Sequence, residues 1–505
     1  MAALSRLPDL AEDHNLQRYF VLMAGALALA GTPVVAWAQP TPRPAPRPAA
    51  SAAPLGPQVP LMAPVPVPTL PPSVAGTRAV EGVPQNITLQ QAVDIAAAKS
   101  PVLAAARADY TLTQLPVDLA RTGLFPNLSA TGTTTHTNQS GRSVVSLITS
   151  GFSGTTNNLT ATLRQLIYDG GRVIAEIHFA KAGAVAGLGT YQRNLETLAF
   201  NVAQSYYTAL SAQASLNLAA QVLHQDEVQL ALVEAQYRTG VASRVDVATA
   251  EVPVAQARVS LVSAEGTAVS SLAAFANQLG LDPDVAVTPI NNNPSNPTQS
   301  LVTALPYNQS VTRALALRPD YLAAEYTVLS NKYNIQAIKA QLLPSLTGSA
   351  SYGTSSTTTT GTNFAPNSSI GLALSIPIYD QGITRVETQQ AVADLDLAKA
   401  QLEQTRLGVE LSVRQALVGL VSAENQVAQT VVELDQAQTV LSATQAQYRA
   451  GVTTLPLLLN AEVSLISAQT SEVSAIYNLR QSEQIYIYAL GQSSINPTSA
   501  PQGGR

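Results

Sequence analysis

The feature that most constrains this chain is a pair of phrases, each written twice at a fixed interval. Residues 168–172 read YDGGR and residues 379–382 read YDQG, while YRTG stands at 237–240 and YRAG at 448–451. Tyr168 and Tyr237 lie 69 residues apart, as do Tyr379 and Tyr448. Neither interval contains a proline. Apolar residues recur three and four apart in the first, at Leu195, Leu198, Val202, Tyr206 and Leu210, and Leu407, Leu411, Val413, Leu417 and Val421 are among those of the second. The pattern predicts, in each copy, a helix of about 67 residues and roughly 100 Å. A rod of that length belongs to a coiled coil or the wall of a tube.

The copies extend beyond these phrases. Copy one opens near Leu89 with LQQAVDIAAAKSPVLAAARADY, and copy two is recognisable from Val311 with VTRALALRPDYLAAEY. Pro101 and Pro126 match Pro319 and Pro344 at an offset of 218, whereas from Tyr168 onward the offset is 211. The seven-residue change therefore falls between Pro126 and Tyr168, opposite Pro344 to Tyr379. Those segments read as hairpins. Leu128 and Ala130, then Leu159, Ala161, Leu163, Gln165 and Ile167, alternate with polar residues around the loop THTNQSGRS. Leu346, Gly348, Ala350 and Tyr352, then Ile370, Leu372, Leu374 and Ile376, do the same around SSTTTTGTN. Such alternation predicts two strands of about ten residues in each hairpin, at 127–168 and 345–379. One helical stretch is expected from Leu89 to Phe125 and another from Val241 to Gly280, with Pro253 delaying or kinking its start. The chain then divides into a first repeat at 85–291, a linker at 292–307, a second repeat at 308–491 and a disordered tail at 492–505.

Ahead of the repeats, FVLMAGALALAGTPVVAWAQ starts at Phe20, with Arg18 before it and the small-x-small pattern Ala36-Trp37-Ala38 near its end. This is expected to be an export signal over 1–38. Residues 39–84 are crowded with Pro and Ala, which suits an extended, disordered leader. No later helical stretch is more apolar than the signal, so membrane insertion after export is expected through strands. The absence of cysteine removes disulfides, thiolate metal sites and a lipid-bearing N-terminal cysteine. A net charge of −5 presents no basic surface for nucleic acid. His14, His136, His178 and His224 are scattered, with His136 in an expected loop. No GxSxG, HExxH, P-loop or dinucleotide phrase occurs, so no catalytic residue, metal or cofactor is expected.

The repeated residues fit the ends of elements. Asp169 and Asp380 stand where a strand gives way to a helix, and their carboxylates can accept the free N–H groups of a first turn. Gly171 and Gly382 relax the change of direction there. Pro126 and Pro344 are expected to stop the incoming helices where strands begin, and Gly240 and Gly451 to end the long helices. Four strands cannot close a usable barrel, and open strand edges in hydrocarbon cost several kcal/mol per unpaired group. Two chains would give a barrel filled by its own side chains; the strand count alone leaves three or four chains open.

These phrases resemble the outer membrane efflux protein family, the TolC-like exit ducts of Gram-negative bacteria. The resemblance rests on LxxAVxxA from Leu89 to Ala96, its second half at Val311 to Ala314, LxP before each hairpin, (L/P)-I-Y-D-x-G, YRxG, and LG at each copy end. It runs over residues 85–491, in order, twice. It implies an α-dominated membrane protein, whose long helical barrel is continuous with a 12-stranded β-barrel built by a trimer with four strands per chain. It further implies an outer membrane site reaching into the periplasm, contact with outer membrane lipid, a periplasmic adaptor, and an inner-membrane pump or secretion transporter. Tyr237, Gly240, Tyr448 and Gly451 would then lie at the periplasmic tip. After Gly451 comes VTTLPLLLNAEV, which places Leu457 and Asn460, with Pro456 adjacent, at the pore lining, where many members carry acids. Copy one adds Arg244 and Asp246, and Glu462 aligns with Glu251. The expected constriction is less acidic and more apolar than usual. A coiled-coil structural or adhesive surface protein is the alternative reading of the rods.

Overall fold

Prolines set the first boundaries. In the computed structural model, which describes residues 84–140, 151–290, 298–357 and 364–492, helix α1 (Leu89–Lys99) stops at Ser100 and α2 (Pro101–Thr122) starts at the next residue. The single helix expected from Leu89 to Phe125 is therefore two. A proline disfavours the helical region for the residue before it, and Ser100 is extended, at φ −66° and ψ 123°. Copy two breaks identically: α5 (Tyr307–Leu317) ends at Arg318, at φ −68° and ψ 122°, before α6 (Pro319–Ala340). The expected signal, most of the leader, the hairpin tips, part of the linker and nearly all of the tail lie outside the described residues.

The long helices have the expected length. Helix α3 (Arg172–Arg238) and helix α7 (Ile383–Arg449) each have 67 residues, and α4 (Arg244–Gln278) and α8 (Leu455–Ala489) each have 35. The short helices also match, at 11 and 22 residues in both copies. All helices of the two copies are thus equal, and the length difference lies in the hairpins. Pro253 sits inside α4, whereas Pro456 falls in the first turn of α8, where a missing N–H costs nothing.

The helical unit has two repeat-specific cores. One gathers Val93, Leu103, Val202, Tyr206, Phe275 and Leu279 from α1 to α4; the other gathers Val409, Val413, Leu420, Leu479 and Tyr486 from α7 and α8. Much of the remaining core is alanine, which lets helices approach closely. Helix α3 packs on α2, α4, α6 and α8, and α7 packs on α6 and α8. Strands β1 (Asn86–Ile87) and β4 (Thr288–Pro289) pair in parallel, joining the start of copy one to its end. The linker is tied to α8, where Glu483 accepts from the Leu301 N–H at 2.7 Å while pairing with Arg480 at 2.9 Å.

The second unit is a four-stranded sheet in the order β2-β3-β5-β6, formed by β2 (Asn127–Ser140), β3 (Gly151–Tyr168), β5 (Ser345–Thr357) and β6 (Ala365–Ser375). Strands β2 and β3 are antiparallel, in register from Asn127 with Arg164 to Ser140 with Gly151. Their 14 and 18 residues exceed the expected ten, and the polar run THTNQS continues β2. His136 therefore lies on a strand, opposite Thr155. Threonine is polar but β-branched, and it packs well on a pleated surface. Strand β6 has 11 residues, close to the expected ten, but ends at Ser375, four residues short of 379. Pro377, aligned with Leu166 of β3, has no N–H for the ladder. Strands β2 and β6 each keep one side unpaired within the chain. Ile370, Leu372 and Leu374 form an exposed apolar face on β6, and Leu128 and Leu159 are likewise exposed on β2 and β3.

The ends of the two copies require glycine for two reasons. Gly280 and Gly491 have φ of +75° and +70°, and a Cβ would come within 2.7 Å of the Lys99 carbonyl oxygen or 2.9 Å of the Arg318 backbone. Each copy thus closes its last turn on its own proline break. Gly240 and Gly451, with similar φ, have open space around them. Gly240→Ala and Gly451→Ala are expected to cost about 1 kcal/mol each. Gly280→Ala and Gly491→Ala should cost more than twice as much, read from thermal unfolding by far-ultraviolet circular dichroism.

Candidate functional site

Two kinds of helix end carry the residues singled out by the sequence. The first lies where the long helices begin. Gly171 and Gly382 are the N-cap residues of α3 and α7, at φ +86° and +84°, and have no side chain with which to cap. The aspartate two residues earlier supplies the acceptor. Asp169 takes the N–H groups of Gly171 and Val173 at 3.1 and 2.8 Å, and Asp380 takes those of Gly382 and Thr384 at 2.9 and 2.8 Å. Hydrogen bonds from Thr384, then from the Gly382 backbone, hold the Asp380 carboxyl below the usual carboxylate range. Pro126 and Pro344 stand immediately before β2 and β5, but α2 and α6 already end at Thr122 and Ala340. The prolines thus open the strands and do not terminate the helices.

The second kind of end lies where the long helices stop and turn back. Gly240 donates to the Tyr237 carbonyl at 3.0 Å and Val241 to that of Gln236 at 2.9 Å. In copy two, Gly451 donates to Tyr448 at 3.0 Å and Val452 to Gln447 at 2.9 Å. Both ends are the left-handed glycine closure that satisfies the last carbonyls of a helix. Beyond this closure the copies differ. Ser243 and Asp246 cap α4 reciprocally: the Asp246 N–H donates to Ser243 Oγ at 3.2 Å, and the Ser243 N–H donates to Asp246 Oδ2 at 2.8 Å. Hydrogen bonds from Ser243 hold the Asp246 carboxyl below its ordinary range. In copy two Thr454 has no side-chain cap bond, and Leu457 stands where Asp246 does. The S-x-x-D phrase at 243–246 signals this cap in the sequence, where Asp246 reads instead as a lining residue.

The two turns meet on one side. Tyr448 is half-buried against two small clusters, Leu441, Leu458, Ala461 and Leu465 in one and Val233, Ala250 and Leu455 in the other, and its hydroxyl donates to Gln236 Oε1 at 3.1 Å, tying α7 to α3. Burial, and then the charge of Asp246, push the Tyr448 hydroxyl up from its ordinary range. Arg244, Asn460 and Pro456 line a common cavity between the starts of α4 and α8. Leu457 is exposed, and so is Tyr237, which stands apart from the Tyr448 cluster although it occupies the matching position. Glu251 is exposed while its partner Glu462 is 4% exposed, and Asp226 on α3 is 6% exposed; no alignment of the copies signals that buried acid pair. Among the described residues no three His, Asp or Glu side chains gather as a metal would need.

Residues 92–281 and 311–492 match the family described as "Outer membrane efflux protein". Protein CyaE of Bordetella pertussis is 26% identical over 412 residues, covering 81% of this chain and 84% of the relative. The outer membrane efflux protein BepC of Brucella suis is 27% identical over 352 residues, covering 67% and 73%. A crystal structure of CusC shares the fold at a TM-score of 0.70 and 20% identity, covering 80% of this chain and 92% of the other. The difference between the two turns yields a direct expectation. Ser243→Ala should cost about 1 kcal/mol and speed amide hydrogen exchange in residues 244–247 by roughly fivefold. Thr454→Ala, which removes no cap bond, should leave exchange at the start of α8 unchanged.

Proposed function

The chain belongs to the outer membrane efflux protein family, and we propose that three copies close into one duct with a 12-stranded barrel. It is an outer-membrane channel of efflux or secretion systems, facing the periplasm, and a passive conduit with no catalytic role. The observation that carries the trimer reading is the pair of unpaired edges on β2 and β6. In hydrocarbon each unpaired backbone group costs several kcal/mol, and only joining β6 of one chain to β2 of the next removes both edges. Four strands from each of three chains give the smallest closed ring with a usable lumen.

The helices support the same neighbour relation. Helix α4 is long and apolar enough to cross a membrane by length and composition, with only 17% of its most apolar window buried. Its Val245, Val252 and Val259 recur every seven residues and are all more than half exposed. Helix α7 carries Leu397, Leu411, Val418 and Val432 at multiples of seven residues, with Gln404 and Asn425 between them, and all four are more than half exposed. Within the chain α4 packs chiefly on α3, and α7 on α6 and α8. Two exposed apolar stripes on helices that pack chiefly on other helices fit a seam between chains, as in a coiled coil.

On this reading Asp169, Gly171, Asp380 and Gly382, with Pro126 and Pro344, fix the junctions of strands and helices. Tyr237, Gly240, Arg244, Asp246, Tyr448, Gly451, Leu457 and Asn460 form the periplasmic tip. A periplasmic adaptor docks there, an inner-membrane pump or secretion transporter supplies the energy, and outer membrane lipid covers the apolar strand faces. The first repeat spans 85–291 and the second 308–491, after an export signal at 1–38 and a leader to 84, with a linker at 292–307 between them and a tail from 492. Leu457 and Asn460 make the constriction weakly selective, because neither carries charge. Purified protein should have the mass of three chains and should open discrete conductances in planar bilayers; a stable monomer that never inserts would overturn the reading. Asn460→Asp should raise cation over anion permeability by roughly threefold or more, measured from reversal potentials.

A further inference from the structure

Glu462 on α8 and Asp226 on α3 face one cavity of about 360 Å³ whose third wall is α4. Both side chains are more than nine-tenths buried. No Lys, Arg or His lines the cavity, and neither carboxyl has a hydrogen-bond donor or a cation among the described residues. The neighbouring charges on α3 and α4, Glu227 and Arg258, pair with each other at 3.1 Å. Two unpaired carboxyls in an apolar setting are costly. Burial, and then the charge of Asp226, push Glu462 up to about 7, and burial raises Asp226 as well.

The cavity is also polarised along its length. The lining on α3 runs from Asp226 back to Ser215, roughly 16 Å of helix. The acids lie toward one end, while the rest is mostly apolar, lined by Leu218, Val222, Val463 and Ile466 together with Ser215, Gln256, Ser260 and Thr470. We propose that this cavity is a binding site for a small organic cation with an elongated apolar body, its ammonium held between Asp226 and Glu462 and its body along the apolar wall. The cation supplies the counter-charge that the described lining residues lack, and a primary ammonium donates hydrogen bonds to both carboxylates. The apolar body supplies affinity by leaving water. All of its lining residues come from α3, α4 and α8 of one chain.

The ligand competes with the proton that Glu462 holds near neutral pH. A group whose pKa is raised in the folded state contributes stability fully present below its ordinary value of 4.5, and that contribution is lost as pH rises through about 7. Affinity for the cation should therefore rise over the interval in which stability of the empty protein falls. The test uses full-length protein in nanodiscs, with 4-phenylbutylamine and its uncharged counterpart 4-phenylbutanol as probes, read by calorimetry. The amine should saturate one site per chain at pH 8 and bind at least tenfold more tightly than the alcohol. It should weaken severalfold at pH 6. Glu462→Gln and Asp226→Asn should each weaken the amine at least tenfold and leave the alcohol unchanged, whereas Glu234→Gln, at an exposed position on α3, should change neither. Glu462→Gln should also raise the melting temperature more at pH 8 than at pH 5, because it removes an unpaired buried charge. Equal binding of amine and alcohol, no saturable binding of the amine, or undiminished binding of the amine by Glu462→Gln would each overturn the proposal.

Discussion

An α-helix advances a fixed distance per residue and cannot be stretched to fit, and the rest of this architecture depends on that rigidity. Helices α3 and α7 have identical lengths, and so do α4 and α8. Their ends are pinned by groups that must be satisfied somewhere: the first N–H groups by Asp169 and Asp380, the last carbonyls by the glycine closures at 240 and 451. A residue added to one long helix would shift its cap by one position and turn its buried face by 100°. The hairpins carry no such constraint, because a strand lengthened by residues on both arms keeps its pairing. The seven extra residues of copy one lie there.

Most of this was legible because it repeats. Two copies of one phrase at one spacing give helix length, helix ends and hairpin positions without any propensity argument. The failures share a physical cause, in that local composition stood in for backbone conformation. THTNQS looked like a loop because it is polar, yet its threonines are good strand residues. Pro101 and Pro319 served as alignment marks, although each also forbids a helical residue before it. Asp246 reads as a charge at the tip, and the cap it makes with Ser243 is a second role that S-x-x-D already spelled. The acid pair of Asp226 and Glu462 was not legible at all. Its members lie 236 residues apart, and only the approach of α8 to α3 brings them together.

Buried charge is handled in two opposite ways. Arg480 and Glu483 are nearly inaccessible, but Glu483 also accepts the Leu301 N–H, so the pair is compensated and anchors the linker. Around Arg193, Glu196 and Asp320 lie at 2.8 and 3.6 Å, and the Tyr488 ring stacks under the guanidinium, so α3, α6 and α8 share one network. Asp226 and Glu462 have no such partners. A buried pair with its hydrogen bonds made can be tolerated, whereas unpaired acids must protonate or recruit a cation. Both solutions stand on α8, about five turns of helix apart.

Pro377 has a consequence for the open edge of a single chain. Within a single chain β2 and β6 are bare edges. A long apolar edge is a template for indiscriminate pairing and aggregation. Strand β6 presents Ile370, Leu372 and Leu374 on one face, and Ile376 and Ile378 would have prolonged that edge. By removing an amide between those two isoleucines, the proline shortens the adhesive stretch without altering its composition. The apolar side chains stay in place, but the backbone offers fewer sites for a wrong neighbour to zip onto.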